Sequence, residues 1–255
     1  MKMRFSDRKQ TEEIYHDRLH REHIVQRGHL QAGDRTHFKF FYSLIGDING
    51  RKILEVGCSN GWLSMRLAES GAKVYGIDIS GELVDEAIRE SVKQNFSEST
   101  VFRKMAVEDL NFEDAFFDLV IGSAILHHTD IRIAIRNIFR VLKQKGRAIF
   151  VEPLNENVAL RIWRKLTPWR RSPTERALLQ SDLDFIRLIF PHAKYHYFGF
   201  TSIMSMGLLM FFPKSRVLHF INELLERLDA LISRRFLFLG RYYAVTVLEL
   251  KKAGK

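Results

Sequence analysis

Between Lys52 and Pro153 the sequence repeats one unit: a short apolar run, a turn, then in most cases an amphipathic stretch. KILEV (52–56), KVYGIDI (73–79), TVFRKMA (100–106), FDLVIGSA (117–124) and RAIFVEP (147–153) have the length and β-branched content of strands. WLSMRLAES, GELVDEAIRESVKQN and IRIAIRNIFRVLKQ have helical spacing, and glycines follow the first and last of them. Strands that alternate with helices run parallel, and a parallel sheet is covered on both faces. The expected fold class is therefore α/β, doubly wound and Rossmann-like.

The flanks have a different rhythm. Residues 7–32 are polar with sparse apolar positions, and HFKFFYSLIG puts apolar residues at helical spacing, so residues 1–50 are expected to form a helical lid. Beyond Pro153, NVALRIWRKLTPWRR reads as a basic amphipathic helix, SDLDFIRLIF as a shorter helix and AKYHYFGF as a strand. SRVLHFINELLERLDALISRR carries Leu218, Ile221, Leu225, Leu228 and Leu231 or Ile232 on one stripe, and RYYAVTVLEL reads as a strand. The run from Tyr195 to Pro213 has no Lys, Arg, Asp or Glu, yet its glycines, serines and strand-like start favour a strand and a buried or interfacial helix over a bilayer span. Segments 154–192 and 201–240 are thus helical insertions that face a substrate or a membrane.

Composition narrows the setting. With 46% hydrophobic residues in 255, the chain can bury a full core. A single cysteine excludes an internal disulfide, and the charged start has no apolar segment of a secretory leader, so a cytoplasmic setting is expected, with peripheral contact at an inner membrane face. The net charge of +10 is concentrated in residues 153–255, where 17 Lys/Arg stand against 8 Asp/Glu. A positive field confined to one region suits an anionic partner such as a membrane surface, a phosphate-bearing substrate or nucleic acid.

The turn after the first strand is ILEVGCSNG (53–61). A strand, a glycine-bearing turn and a helix start bring backbone N–H groups to one point, which attracts anions. Dinucleotide loops use the same device, but they want a second glycine where this chain has Ser59, and Glu55 beside the turn suits a cationic group better than a diphosphate. Asp78 ends the second strand, where a carboxylate accepts both hydroxyls of a ribose. A ribose, a zwitterionic or cationic part and no phosphate are together features of S-adenosyl-L-methionine.

The ordered set ILEVGCSNG, VYGIDIS, AVEDLNF, FDLVIGSAILHH and RVLKQKGRAIFVEPL resembles the class I S-adenosylmethionine-dependent methyltransferases, in particular the small-molecule and lipid branch that includes quinone-biosynthesis enzymes. The resemblance covers residues 51 to about 154. It implies a seven-stranded sheet whose last strand, RYYAVTVLEL, runs antiparallel between its neighbours, so that residues 51–255 are the methyltransferase domain. It also implies that Gly57, Ser59 and Gly61 border the methionine part, with Asp78 at the ribose, Val107 and Glu108 at the adenine and Ser123 below the sulfonium, while charge, rather than the resemblance, puts Glu55 near the ammonium. Cys58 and Ile79 complete the cofactor set. Relatives often have Asp-Ala before the Glu of the third motif; Ala106-Val107 stand here, which leaves one adenine contact to Glu108, Asp109 or a backbone carbonyl.

Methyl transfer from a sulfonium is an in-line displacement that depends on alignment, and a base is needed only if the acceptor arrives protonated. His127 and His128 end the fourth strand and are the catalytic candidates, while Glu152 is either a substrate contact or a cap. No metal-ligand set is assigned. The asparagine-proline-proline-aromatic signature of many nucleic-acid amino methyltransferases is absent, which lowers nucleic acid as a partner. Trp163, Arg164, Lys165, Trp169, Arg170 and Arg171 interleave rings with cations, as suits a lipid headgroup layer. The expected activity is methylation of a hydroxyl, or a carbon, of a lipophilic or lipid-linked molecule. RNA or protein methylation through the basic block, and a noncatalytic partner with this fold, are the alternatives; a homodimer is compatible with each.

Overall fold

The computed structural model describes residues 5–21, 36–167, 172, 174–212 and 214–254. Two helices, α1 (Phe5–Arg21) and α2 (Thr36–Ile45), precede the sheet. The alternating region is β1 (Lys52–Val56), α3 (Trp62–Glu69), β2 (Lys73–Asp78), α4 (Gly81–Lys93), β3 (Thr100–Lys104), β4 (Phe117–Ser123), α5 (Ile131–Val141) and β5 (Leu142–Pro153). Then come α6 (Val158–Leu166), α7 (Gln180–Ile189), β6 (Lys194–Phe198), α8 (Ile203–Phe211), α9 (Arg216–Arg235) and β7 (Val245–Lys251). Trp169, Arg170 and Arg171, the side chain of Trp163, and residues 22–32 of the polar N-terminal stretch lie outside what is described.

All seven strands form one sheet in the order β3-β2-β1-β4-β5-β7-β6. The first five pair in parallel, and β7 runs antiparallel to both β5 and β6, as the resemblance implies. The strand order reverses beside β1 and β4. There the loops after those strands diverge and open a crevice at the carboxyl edge.

The sheet has an apolar layer on each face. On one, Ile135 and Ile138 of α5 and Ile186 of α7 pack with Leu54, Val120 and Phe150. On the other, Phe41 and Ile45 of α2 and Leu67 of α3 pack with Ile53, Ile121 and Ile149. Alternate residues of β1 thus go to opposite layers, the expected behaviour of a strand buried on both sides. Helix starts are fixed by side-chain oxygens: Ser80 Oγ accepts from Leu83 N ahead of α4, and Asp130 accepts from Arg132 N and Ile133 N ahead of α5.

Two boundaries differ from the periodicity. The α5 helix stops at Val141 rather than Gln144, and β5 begins at once with the fully buried Leu142, which pairs with Phe117; the register then shifts before Leu119. Lys145, at φ +63°, and Gly146 make the irregular step. The last strand starts at Val245 rather than Arg241, because residues 237–242 form a 3₁₀ turn and the buried Tyr243 donates its hydroxyl to Asp229 O of α9. The stripe on α9 is also only half covered: Leu218 and Leu225 are half-buried, whereas Leu228 and Leu231 are exposed.

Candidate cofactor cleft and active site

The turn after β1 is built for close approach. Gly57 has φ +73°, and a Cβ there would come within 3.0 Å of Ile125; Gly61 has φ +76°, and its Cβ would meet the Phe102 ring at 2.8 Å. Both positions need glycine on backbone and space together. Gly57 N and Cys58 N donate to Ile77 O, which binds the turn to the end of β2. Asp78 completes the junction, accepting from Ser59 N and Ser80 N at 2.9 Å each, one per carboxylate oxygen. Burial pushes the Asp78 pKa up, against these hydrogen bonds and the nearby His16.

The third motif is pinned from the side. Asn137 of α5 donates its amide to the carbonyl oxygens of Val107 and Glu108, and Glu108 accepts from Asp130 N at 2.9 Å. Gly57, Asp78, Ile79, Val107, Glu108 and His128 all line one cleft, joined by Met105, Ala106 and Ile125. Glu55, Cys58, Ser59, Gly61, Ser123 and His127 are not among its lining residues. Glu55 is an internal group instead: it is buried, accepts from Ser64 Oγ of α3, and is pushed up to about 8 by burial and by the charge of Asp78. At neutral pH it is mostly uncharged, so it offers little to an ammonium.

Ser59 Oγ and Asn60 Oδ1 are buried and have no hydrogen-bond partner. Unspent polar atoms in a buried turn fit a ligand with polar groups of its own. With the carboxylate of Asp78 and the apolar walls of Ile79 and Val107, the residues suit an adenosyl group bearing a zwitterionic tail.

The other wall of the cleft is α1, which the sequence places only as a lid. Arg8, Lys9, Glu12 and His16 project into it, with Lys9 pairing with Asp109, and Asp17 accepting from Ser80 Oγ. About 40 Å³ remain free, far below the roughly 300 Å³ at which small-molecule pockets begin. A bound nucleoside therefore requires α1 to move outward. The signal was present in the sequence as Glu12-x-x-x-His16, two polar groups on one helical face.

At the end of β4, Ala124 sits at φ +53° and turns the chain into a 3₁₀ step over Leu126–His128. Glu152, fully buried at the end of β5, accepts from Ile125 N and Leu126 N at 3.0 and 2.8 Å, and lies 2.7 Å from His127 Nδ1. Glu152 is thus the cap of this turn and the orienting group of His127, not an exposed substrate contact. His127 Nε2 is 3.9 Å from Glu175. His128 Nδ1 lies 3.0 Å from Glu12 Oε2, misaligned for a hydrogen bond, so the pairing is electrostatic. Burial opposes charging His128, but Glu12 outweighs it and raises the imidazole pKa; burial likewise opposes Glu12, yet His128, Ser172 and Thr174 hold it down to about 2. The donor atoms of Glu12, His16 and His128 lie within 4.8 Å of one another, as do those of His127, His128 and Glu175, close enough to share one cation. The sequence reading assigned none there, because α1 comes from far along the chain.

Residues 54–150 match the family described as "Methyltransferase domain". Over those residues the chain is similar to methyltransferase domains. Among curated relatives, the ubiquinone biosynthesis O-methyltransferase of Xanthomonas oryzae pv. oryzae is 32% identical over 156 residues, 60% of this chain and 58% of that protein. That of Xanthomonas campestris pv. campestris is 31% identical over 152 residues, 59% and 56%. The chain thus matches less than two thirds of the length of these relatives. Solved structures share the fold at low identity. Geranyl diphosphate C-methyltransferase from Streptomyces coelicolor A3(2), crystallised with Mg²⁺, geranyl diphosphate and S-adenosyl-L-homocysteine, has a TM-score of 0.57 at 12% identity, covering 85% of this chain and 78% of that one. The [4+2]-cyclase SpnF gives 0.57 at 17%, covering 85% and 82%.

Proposed function

We propose that the protein transfers a methyl group from S-adenosyl-L-methionine to a hydroxyl of a lipophilic or lipid-linked molecule at a membrane surface. The observation that carries this reading is the outer face of the C-terminal insertions. On α6, Val158, Ile162 and Leu166 are 64%, 55% and 66% exposed, interleaved with Arg161 and Lys165. On α9, Val217, Phe220, Leu224 and Leu231 are 68%, 69%, 59% and 65% exposed, with Arg216 and Arg227 on the same helix. Apolar rows edged by cations suit insertion of side chains among acyl chains while the bases meet anionic headgroups. No described helix is long and apolar enough to cross a membrane.

The cofactor, when bound, supplies an electrophilic methyl group. Gly57, Asp78, Ile79 and Val107 hold and orient it, with Ser59 and Asn60 offering their unspent polar atoms. His127 is the proposed base: Glu152 holds its Nδ1, and its Nε2 would take the hydroxyl proton once the substrate displaces Glu175 from beside it. His128 has a different task, latching α1 through Glu12, so that residues 5–21 act as a lid that must open for the cofactor. The relatives named as ubiquinone biosynthesis O-methyltransferases support oxygen rather than carbon as the methyl acceptor.

The test is an extract incubated with methyl-labelled cofactor. The expected result is label in the organic phase, with sedimentation on vesicles containing anionic lipid that falls as salt rises. Label in RNA or protein, with binding to RNA but not vesicles, would overturn the reading. The narrow cleft beneath α1 favours one other reading, a noncatalytic partner. Absence of any thermal stabilisation by excess S-adenosylhomocysteine would establish it, since mass action otherwise demands a rise.

A further inference from the structure

A second cavity lies beyond the end of β5, away from the nucleoside cleft. Its volume is about 580 Å³, inside the range of small-molecule sites. Its walls come from α2, α6, the edge strand β6, the start of β7, and the α8 and α9 insertion. Phe40, Leu160, Tyr197, Phe198, Ile203 and Val245 make it mainly apolar.

The charged groups on the wall are already committed. Asp229 accepts from Phe200 N, Thr201 N and Ser202 N at 2.9, 2.7 and 3.1 Å, closing the start of α8. Glu226 accepts from Thr36 Oγ1 and Asn222 Nδ2, and Arg164 donates to Leu154 O at 3.1 Å. His196 stands 3.5 Å from Glu249. A ligand with a polar or charged body would find these groups spent on the fold, whereas a hydrocarbon needs none of them.

The location is informative as well. Pro153 lines the cavity and directly follows Glu152, the residue that orients His127. Leu160 and Ala230 line it from the same helices, α6 and α9, whose outer sides expose apolar rows. One space therefore borders the end of the strand that carries Glu152, which orients the proposed base, and the helices that would meet a bilayer.

We infer that this cavity holds the aliphatic tail of the methyl acceptor, an inference that rests on the lipophilic-substrate reading above and names where its chain goes. If each chain carbon takes roughly the ~30 Å³ of a water molecule, the space accommodates about 15 to 20 carbons. The chain enters from the bilayer between α6 and α9, and its polar end stops at the tip of β5.

The test uses farnesol, a 15-carbon isoprenoid alcohol, as the probe, with Ala230→Trp to fill the cavity and Leu160→Glu to charge it. Ala230 is exposed and Leu160 half-buried on a helix, so both variants are expected to fold, and unchanged thermal stabilisation by S-adenosylhomocysteine checks that they have. The wild type is expected to bind farnesol with micromolar affinity, each variant at least tenfold more weakly, and farnesol is expected to inhibit labelling of extract lipids by the wild type. No farnesol binding by the wild type, or equal binding by folded variants, overturns the inference. If Ala230→Trp abolishes sedimentation on vesicles but labels detergent-solubilised lipid normally, the chain in the cavity belongs to a membrane lipid and the acceptor assignment is overturned. If the variants lose farnesol while wild type never labels the organic phase, the chain site stands and the lipophilic-acceptor reading has failed.

Discussion

The nucleoside cleft and the apolar cavity are opposites. The nucleoside cleft is made of turns from the alternating core, polar at its floor, and packed by α1 to about 40 Å³; the second cavity is made of inserted helices and strand edges, apolar, and open at about 580 Å³. The first must be uncovered before it binds anything sizeable, whereas the second is preformed. Where the ligand is polar, the protein keeps the site filled with its own polar side chains, since bare buried polar groups are costly. An apolar cavity carries only lost packing, which insertion helices with outward-facing apolar rows tolerate.

The strongest challenge to this contrast removes the proposed base. His127→Ala is expected to lower the methyl-transfer rate by about 10²- to 10⁴-fold, the usual range for general-base catalysis, while leaving S-adenosylhomocysteine binding unchanged in calorimetry. If the rate is unaffected, the histidine does not take the proton. Asp78→Ala comes next. It removes a carboxylate that anchors Ser59 N and Ser80 N and stands ready for a ribose, and a roughly 100-fold loss of cofactor affinity is expected, from charged hydrogen bonds of ~1.5–3 kcal/mol.

Removing the latch works in the other direction. Glu12→Gln weakens the hold on His128, so the open state gains population and cofactor affinity rises severalfold in the same titration, at the expense of protection of residues 5–21 from amide exchange. Weaker cofactor binding in that variant would show that α1 contributes contacts to the ligand rather than competing with it. The smallest effect is that of pH. His128 has a raised pKa, so its share of α1 docking is complete below the ordinary histidine value and is lost as pH rises through the raised one. His16, lowered by burial and by His128, contributes in the opposite sense and opposes docking as pH falls through its lowered value. Amide protection of α1 should therefore be greatest around neutral pH and decline on both sides; a monotonic profile would remove the histidine pair from the latch.

The parallel core was legible because local sequence and tertiary role agree there. Ile53, Ile77, Ile121 and Ile149 sit in strand-length apolar runs and are all buried. Asp78 and the glycines of the first turn were found because backbone geometry demands those residue types. What the sequence left undecided depends on contacts between distant segments. Nothing near Glu152 reveals that it caps the turn at residues 125–127, and nothing near Glu12 reveals that His128 is its partner. Glu55 looked like a ligand group because an acid in an apolar strand is conspicuous; only the position of Ser64 shows that it is held uncharged inside. The α9 stripe was legible as an apolar face, but helical spacing identifies such a face without saying what, if anything, meets it.

The place of β7 has a consequence for how the chain comes together during synthesis. β6 hydrogen-bonds in the sheet to β7 alone, and β7 follows it by 46 residues that include both late helices. On the ribosome the five parallel strands can associate early, whereas β6 and the walls of the apolar cavity must wait for Val245–Lys251 to emerge and slot in beside β5. Until then the oily helices are unroofed, and a nascent chain docked on a bilayer would be shielded from aggregation during that interval.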